Sequence, residues 1–437
     1  MNNLDGLIED LGIDNIQWRI ELSNSQSLLF YKINDEDPDG HKRFLQRIKD
    51  QHYGFIFAAT EKKYKLKNGV SYLPLEKWYE AQEFSMDKLY PIKNHPKFIA
   101  VTGTNGKTTT TDFIRQICVQ ANIDVLCIGT LGVWFNDKKE SDFGLTTPNY
   151  IDLRKYIHEF EASIVTFEAS SHSITQKRFF NIKLNAAAWT SFSQDHLDYH
   201  KTMHAYYEAK LALKEYLLDG ANFYYHKEDH DSHKETQDLL PTQISLITSK
   251  DFLSVNYNKK NLELAVTCLK DVGVQVLENY DFINPVPGRF NTYKSKENII
   301  VIDYAHTPDA IENICIESKK AFKKRVVTLF GCGGDRDKLK RPLMGRVACA
   351  NSDDVIITTD NPRFEDPEKI IEEITGGIKE YSNYKVILDR ENAIRTLLKE
   401  KDSVLLILGK GNEPYLDIKG EKVPYSDIEL VEKLINE

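Results

Sequence analysis

The stretch KFIAVTGTNGKTTTTDFIRQICVQANI (97–123) constrains this chain more than any other. KFIAVTG is an unbroken small and apolar run, the texture of a strand buried on both faces. The residues after it repeat at helical spacing, with Phe113, Ile117 and Ala121 on one stripe and Ile114 and Cys118 beside it. A buried strand that turns straight into a helix through small residues belongs to a parallel α/β sheet. The same texture recurs. VLCIGTLGV (125–133), ASIVTFEASS (162–171) and LNAAAWTSF (184–192) read as further buried strands. After the punctuation INPVPGRFN (283–291), so do NIIVIDYA (298–305), RVVTLFG (325–331), DVIITTD (354–360), YKVILD (384–389) and SVLLILG (403–409). Helical stretches such as DAIENICIESKKAF fall between them.

Residues 1–95 differ in texture. SLLFYKI (27–33) and YGFIFAA (53–59) read as strands around a helical HKRFLQRIKD, and a linker with two prolines, LYPIKNHPK, follows. The fold class is α/β with three domains, a number that suits 437 residues. A small N-terminal α/β domain covers 1–96, a central P-loop parallel-sheet domain 97–284, and a C-terminal Rossmann-like domain 285–437.

Charge and composition exclude several classes. Lys+Arg is 57 against 66 Asp+Glu, a net charge of −9, which argues against coating nucleic acid or an anionic membrane. No apolar run approaches the ~18 residues of a membrane span. The N-terminus is acidic and lacks the order of a signal peptide. The six cysteines are scattered, with no Cys-x-x-Cys, and read as reduced thiols. The expectation is a cytoplasmic monomer that acts on small molecules.

The loop VTGTNGKTTTT (101–111) follows a strand and opens a helix, the setting a phosphate loop requires. Gly103 and Gly106 let backbone N–H groups approach a phosphate, and the helix N-terminus adds partial positive charge. Lys107 can reach a terminal phosphate, and the Thr108 hydroxyl can bind Mg²⁺. The alternative is a plain Gly/Thr-rich turn. Glu168 ends a buried strand, where a carboxylate suits a metal ion or serves as a structural partner. Ser170, Ser171 and His172 adjoin it, and Gln176 and Arg178 are candidates for holding an anionic substrate. His196 sits in a turn crowded by Asp195, Asp198 and His200; it is a metal ligand or a satisfied polar residue. Lys210, on the next helix, is by default a solvated lysine. In the last third, GCGGDRDKLKRP (331–342), DNPR (360–363) and LGKGNEPY (408–415) each leave the carboxyl end of a strand. They carry Arg336, Lys338, Arg341 and Arg363, a pattern that suits a small molecule with one or more carboxylates.

These segments resemble the Mur ligase family, ATP-dependent amide ligases of peptidoglycan precursor synthesis, and within it the MurE type. The resemblance rests on GTNGKTTTT (103–111), TTPN (146–149), EASSHSITQKRF (168–179), QDHLDYHKTMHAYYEAK (194–210), VPGRFN (286–291), DYAHTPDAIENI (303–314), GCGGDRDKLKRPLMG (331–345), DNPR (360–363) and GKGNE (409–413). Folylpolyglutamate synthetases share the short phosphate loop, but DYAHTPD and DNPR are of the MurE kind.

The resemblance implies ATP and Mg²⁺ as cofactors. Gly103, Thr104, Asn105, Gly106, Lys107, Thr108 and Thr109 would bind ATP, with Asn261 at the adenine and Asp303 and His306 at the nucleotide. Thr108, Glu168, His196 and Lys210 as a carbamate would be the metal ligands, and Lys107, Lys210, His196 and Glu168 the catalytic set. Ser23, Asn24, Thr146, Thr147, Ser170, Gln176 and Arg178 would hold UDP-MurNAc-L-Ala-D-Glu. Arg336, Asp360, Asn361, Arg363, Gly409 and Glu413 would hold the incoming amino acid. An arginine in DNPR resembles enzymes that take meso-diaminopimelate. The domains would then bind UDP-sugar, ATP and amino acid in chain order. Alternatives are a relative adding L-lysine or another amino acid, a folylpolyglutamate-synthetase-like ligase, and a silent regulator that kept the fold. Two departures stand out. The uridine segment is shortened to LSNSQSLLFYKI and DPDGHKRF, and Asn412 and Pro414 replace the family's histidine and aspartate after GKG.

Overall fold

The computed structural model describes residues 4–49, 51–65, 67, 69–227, 239–242, 253, 255–277 and 279–437. The chain forms two compact units. The smaller comprises Met1–Lys97, Pro148–Val165 and Gln176–Ile182, and the larger Phe98–Thr147, Thr166–Thr175 and Lys183–Glu437.

The smaller unit carries a four-stranded sheet, β1 (Asn15–Gln17), β2 (Ser27–Lys32), β3 (Phe55–Ala59) and β4 (Val70–Leu73), parallel throughout and in sequence order. The helix Gly40–Arg47 lays Phe44 onto Leu29, Ile56, Ala58 and Val70. The helix Tyr150–Phe160 belongs to this unit, although strands of the central sheet flank it in sequence. Asn149 caps it, accepting from Ile151 N and Asp152 N. Its buried Arg154 donates to Asp87 (2.8 Å), to Tyr90 O (3.1 Å) and to the Tyr150 hydroxyl (2.6 Å).

The larger unit is built on two sheets. The first has eight strands: β5 (Lys97–Thr102), β6 (Val125–Gly129), β7 (Gly132–Phe135), β8 (Lys138–Ser141), β9 (Ile164–Glu168), β10 (Leu184–Trp189), β11 (Leu217–Tyr225) and β12 (Leu240–Pro241). Their order is β12-β11-β10-β5-β9-β6-β7-β8. One expectation needs correction here. VLCIGTLGV is not one strand but two antiparallel ones, with Gly129 opposite Gly132. Thr130 and Leu131 form the turn, and Gly132 takes φ +97, which a side chain disfavours. Apolar texture alone cannot locate such a reversal inside a buried run.

The second sheet contains β13 (Asn291–Ser295), β14 (Asn298–Asp303), β15 (Arg325–Phe330), β16 (Asp354–Ile357), β17 (Tyr384–Val386) and β18 (Ser403–Leu408), in the order β13-β14-β18-β15-β16-β17. Only β13 is antiparallel. Every residue of β18 is buried, as a central parallel strand covered on both faces requires. The loops after β14, β15, β16 and β18 all leave the carboxyl edge, where ligands of such sheets sit. A hairpin, β19 (Tyr415–Ile418) and β20 (Glu421–Pro424), follows the last of these loops. Among the described residues no helix is long and apolar enough to cross a membrane.

Candidate active site

The strand–loop–helix at the centre of the larger unit is tightly cross-braced. β5 ends at Thr102 and the helix Lys107–Gln120 begins five residues later. Thr104 N donates to Ser191 O (2.8 Å) and Asn105 N to the Ser191 hydroxyl (2.9 Å); Thr190 Oγ1 donates to Asn105 O. Gly103 (φ +146) and Gly106 (φ +89) adopt backbone conformations that L side chains avoid. A Cβ on Gly103 would collide with the Thr190 hydroxyl, and one on Gly106 would lie 2.5 Å from Asn261 Oδ1. Lys107 Nζ donates to Gly103 O (2.9 Å) and Thr104 O (3.0 Å), so the cation sits in the mouth of its own loop. Burial pulls its ammonium below the ordinary lysine range. Thr108 and Thr109 are buried in the first helical turn.

A cavity of about 350 Å³ opens beside this loop. Asn105, Gly106 and Thr109 line one side, and the start of the helix Asn256–Asp271, with Asn256, Tyr257, Asn258 and Asn261, lines another. Arg289, Asp303, Asp309, Asn313 and Glu317 complete it. Asn261 and Asp303 both line this cavity. The Asp303 carboxylate also accepts from Phe290 N and Ala305 N, both at 2.7 Å, and burial raises its pKa. His306 Nδ1 meets Tyr304 O at 2.8 Å, which makes that nitrogen the donor. Burial first, then Lys340, pushes this imidazole down to about 4.

Glu168 ends β9 fully buried, with Oε1 accepting from Thr130 N (2.6 Å) and Oε2 from the Thr130 hydroxyl (3.2 Å). The β6–β7 turn supplies both of these donors, and Gly129 leaves the carboxylate room. His196 takes a left-handed backbone (φ 54) and stacks edge-on to His172, ring centroids 4.9 Å apart. Burial first, then His172 and the cations Lys210 and Lys107, hold it down to about 3 against the Asp195 carboxylate 3.5 Å from Nε2, so its imidazole is neutral. Lys210 is not the solvated lysine of the default reading. It is 1% exposed and makes no hydrogen bond or ion pair among the described residues; its ammonium lies over the Tyr206 ring at 4.4 Å. Burial and the nearby Lys107 drive its pKa well below the lysine range.

No group of three or more His, Cys, Asp or Glu that could hold a metal occurs among the described residues. Thr108 and Glu168 line one small cavity, and with His196 they offer one hydroxyl, one carboxylate and one imidazole. That fits a hard ion that completes its octahedron with phosphate and water oxygens.

Of the remaining expected residues, Thr146, Thr147 and Ser170 lie in the larger unit. The Thr147 hydroxyl donates to Glu168 O (2.6 Å), and the Thr146 hydroxyl meets that of Thr130 at 3.5 Å. In the smaller unit the Arg178 guanidinium donates to Gln176 Oε1 at 2.8 and 3.0 Å. The Ser23 and Asn24 side chains there are committed to the turn before β2: Ser23 Oγ donates to Ile20 O and His52 O, and Asn24 Oδ1 accepts from Gln26 N.

At the second sheet's edge the expected cations separate into two kinds. Arg341 is 1% exposed and bonds Glu365 (2.9 Å), Glu373 (2.7 Å) and Gly333 O (3.0 Å), and Lys338 pairs with Glu365 at 2.9 Å. These two brace the loop through their glutamates. Arg336 is exposed and has no hydrogen bond or ion pair among the described residues. Arg363 lies beside it. A Cβ on Gly333 would be 2.8 Å from Arg363 Nη1 and 3.7 Å from Arg336 Cγ. Asp360 packs against Gly409 (φ +109), and Asn361 Nδ2 donates to Glu413 Oε2 at 2.7 Å. The bonds from Arg341 and Lys338 hold the Glu365 carboxyl down to about 2. Because that pKa is depressed below the unfolded value of about 4.3, its stabilisation is full above about pH 4.3 and fades as pH falls toward 2. Melting temperature measured across that window is expected to fall less steeply in Glu365→Gln than in wild type.

Sequence reading passed over three residues that the fold brings in. Arg289, from VPGRFN, reaches the Thr108 hydroxyl at 3.4 Å and lies over the Tyr304 ring at 4.2 Å. Lys340 forms a buried ion pair with Asp195 at 3.2 Å, joining the QDHLDYH loop to the helix Lys340–Asn351. Lys410 is completely buried between Gly409 and Gly411. The available signal was a cation inside an already conspicuous motif, which charge counting treats as surface.

Residues 101–300 match the Mur ligase middle domain, and residues 288–411 match the Mur ligase glutamate ligase domain. The chain is 37% identical over 372 residues to the UDP-N-acetylmuramoyl-L-alanyl-D-glutamate–2,6-diaminopimelate ligase of Aquifex aeolicus, covering 77% of each. It is 34% identical to the ligase of that name from Rickettsia typhi, across 99% of this chain and 95% of that one. A solved structure bearing the same name shares the fold at a TM-score of 0.60 and 24% identity, over 97% of this chain and 95% of the other. The chain belongs to the Mur ligase family, ATP-dependent acid–amino-acid ligases of peptidoglycan synthesis. The relatives just described are of the MurE type, as the motifs implied.

Proposed function

We propose that the protein joins meso-diaminopimelate to UDP-MurNAc-L-Ala-D-Glu through an acyl phosphate, at the expense of ATP. The observation that carries the choice of amino acid is the pair Arg336 and Arg363 on either side of Gly333, with the Glu413 carboxylate on a neighbouring loop of the same sheet edge. Two cations and an acid are the complement of a molecule with two carboxylates and amines.

In this reading the ATP phosphates lie on 103–109, with Lys107 and Arg289 as counter-charges and the nucleoside in the adjoining cavity. Carboxamides such as Asn261 offer the donor–acceptor pair that a purine edge needs, and carboxylates such as Asp303 accept from ribose hydroxyls. The D-Glu carboxylate attacks the terminal phosphorus and ADP leaves. The amine then attacks the acyl carbon, inorganic phosphate leaves and the amine loses a proton. Lys107 and the loop N–H groups stabilise charge on the phosphoryl oxygens as it moves. Positioning of the amine supplies much of the remaining rate. Thr108, Glu168, His196 and carbamylated Lys210 would hold Mg²⁺, which neutralises phosphate charge when bound. Burial and the nearby Lys107 lower the pKa of Lys210, which has no ion pair among the described residues, and so favour the neutral amine that takes up carbon dioxide. Thr146, Thr147, Ser170, Gln176 and Arg178 remain the proposed contacts of the UDP-MurNAc-dipeptide. The domains 1–96, 97–284 and 285–437 divide the three substrates among them.

The test is ATP turnover with UDP-MurNAc-L-Ala-D-Glu and a panel of amino acids. Diaminopimelate is expected to support it best; a preference for lysine, or turnover only with a folate, overturns the reading. Lys210→Ala is expected to lose most activity and to regain part of it with added short-chain carboxylic acids. Activity close to wild type without them removes the carbamate.

A further inference from the structure

The side chain of Lys410 has no exposure at all, yet it carries a charge and lies on a loop that ends a central strand. Its three N–H donors are all used. Nζ donates to Tyr415 O (2.7 Å), Asn361 Oδ1 (3.1 Å) and Glu413 Oε2 (3.2 Å). Asn361 Oδ1 accepts a second bond from Asp417 N at 2.9 Å. With an ammonium and a backbone amide both donating to it, that atom must be the oxygen, so the Asn361 NH₂ is forced toward Glu413. There it donates to the same Oε2, at 2.7 Å.

Glu413 is therefore held by one oxygen only. Among the described residues Oε2 receives two donors, while Oε1 has a single long contact, to the Tyr304 hydroxyl at 3.4 Å. We propose that Lys410 is a positioning residue: by fixing Asn361 and anchoring Glu413 through Oε2, it presents Oε1 as the acceptor for an amino group of the incoming amino acid. This rests on the ligase reading above and adds to it the reason one carboxylate oxygen is left open. A freely rotating carboxylate would have to be ordered by each substrate that arrives, whereas this one is ordered beforehand.

The test is steady-state kinetics of Lys410→Met, which removes the donors and keeps the length, and of Lys410→Gln, which keeps a polar group and covers the case in which Met does not fold. The KM for the amino acid is expected to rise about ten- to a hundredfold, the scale of losing charge-assisted hydrogen bonds. The KM values for ATP and the UDP-MurNAc-dipeptide are expected to stay within about twofold, with Gln less affected than Met. Equal shifts in all three KM values, or loss of melting temperature with none, overturn the proposal. A crystal structure of the variant reads the same point independently of turnover: Glu413 is expected to leave Asn361, and a retained contact near 2.7 Å overturns the proposal. If wild type ligates nothing to the UDP-MurNAc-dipeptide, the functional reading fails alone, and the variant's structure still decides whether Lys410 positions Glu413.

Discussion

Lys107→Ala is expected to abolish ligation in a protein that remains folded. Among the described residues the side chain makes two hydrogen bonds, both to carbonyls of its own loop. The loop keeps its shape through bonds that do not involve Lys107, from Thr104 N and Asn105 N to Ser191 and from Thr190 to Asn105 O. Stability should therefore move little, by about 1 kcal/mol for each modest bond lost. Turnover should fall by at least about 10²–10³, the usual loss when a preorganised donor facing a developing anion is removed. Arginine is a poor substitute, because a planar fork does not reproduce the compact ammonium that Gly103 O and Thr104 O receive. The measurement is a melting curve beside a single-turnover assay of phosphate release. A folded variant that turns over at nearly the wild-type rate ends the assignment of this loop to the terminal phosphate.

Arg363→Ala is expected to raise the KM for diaminopimelate by about ten- to a hundredfold, the equivalent of roughly 1.5–3 kcal/mol for one charge-assisted pair. The substitution also removes a hydrogen bond from Arg363 Nη1 to Gly334 O (2.7 Å) and a long ion pair with Asp417 (3.8 Å), so a melting curve accompanies the kinetics. The backbone of residue 363 is pinned on both sides, its N–H to Asp417 O (2.9 Å) and its carbonyl to Lys419 N (2.8 Å), and its left-handed φ of 50 is no harder for alanine than for arginine. The KM for ATP should not follow. The preference for diaminopimelate over lysine should narrow, since an arginine left without its carboxylate penalises lysine in the wild type. Side-by-side kinetics with the two amino acids decide it. If wild type prefers lysine, Arg363 has another use.

Much of this was legible in the sequence because parallel strands covered on both faces print themselves as continuous apolar runs. All five strand runs expected after residue 291 are strands, and the phosphate loop lies between β5 and its helix. What stayed hidden depended on distance in sequence. Nothing local marks Lys340 as the partner of Asp195, 145 positions away, or separates Arg341, which is neutralised by two glutamates, from Arg336, which is not. A cation's role is set by which acid the fold brings to it. The β6–β7 reversal was missed for the opposite reason: both halves are equally apolar, so only the backbone of Gly132 records the turn.

The helix Tyr150–Phe160 has a bearing on how such a protein can be altered or recombined. It sits far along the chain yet anchors, through Arg154, to Asp87 and Tyr90 near the end of the first hundred residues. The smaller unit is thus stitched from three separate stretches of the gene. A cut near residue 97 does not release it whole; it leaves the N-terminal fragment without the helix its acidic and carbonyl groups were built to receive, and leaves Arg154 in the remainder stripped of its partners. Exchange of the N-terminal part between relatives must therefore carry residues 148–165 and 176–182 with it, as a matched set and not as an interchangeable cassette.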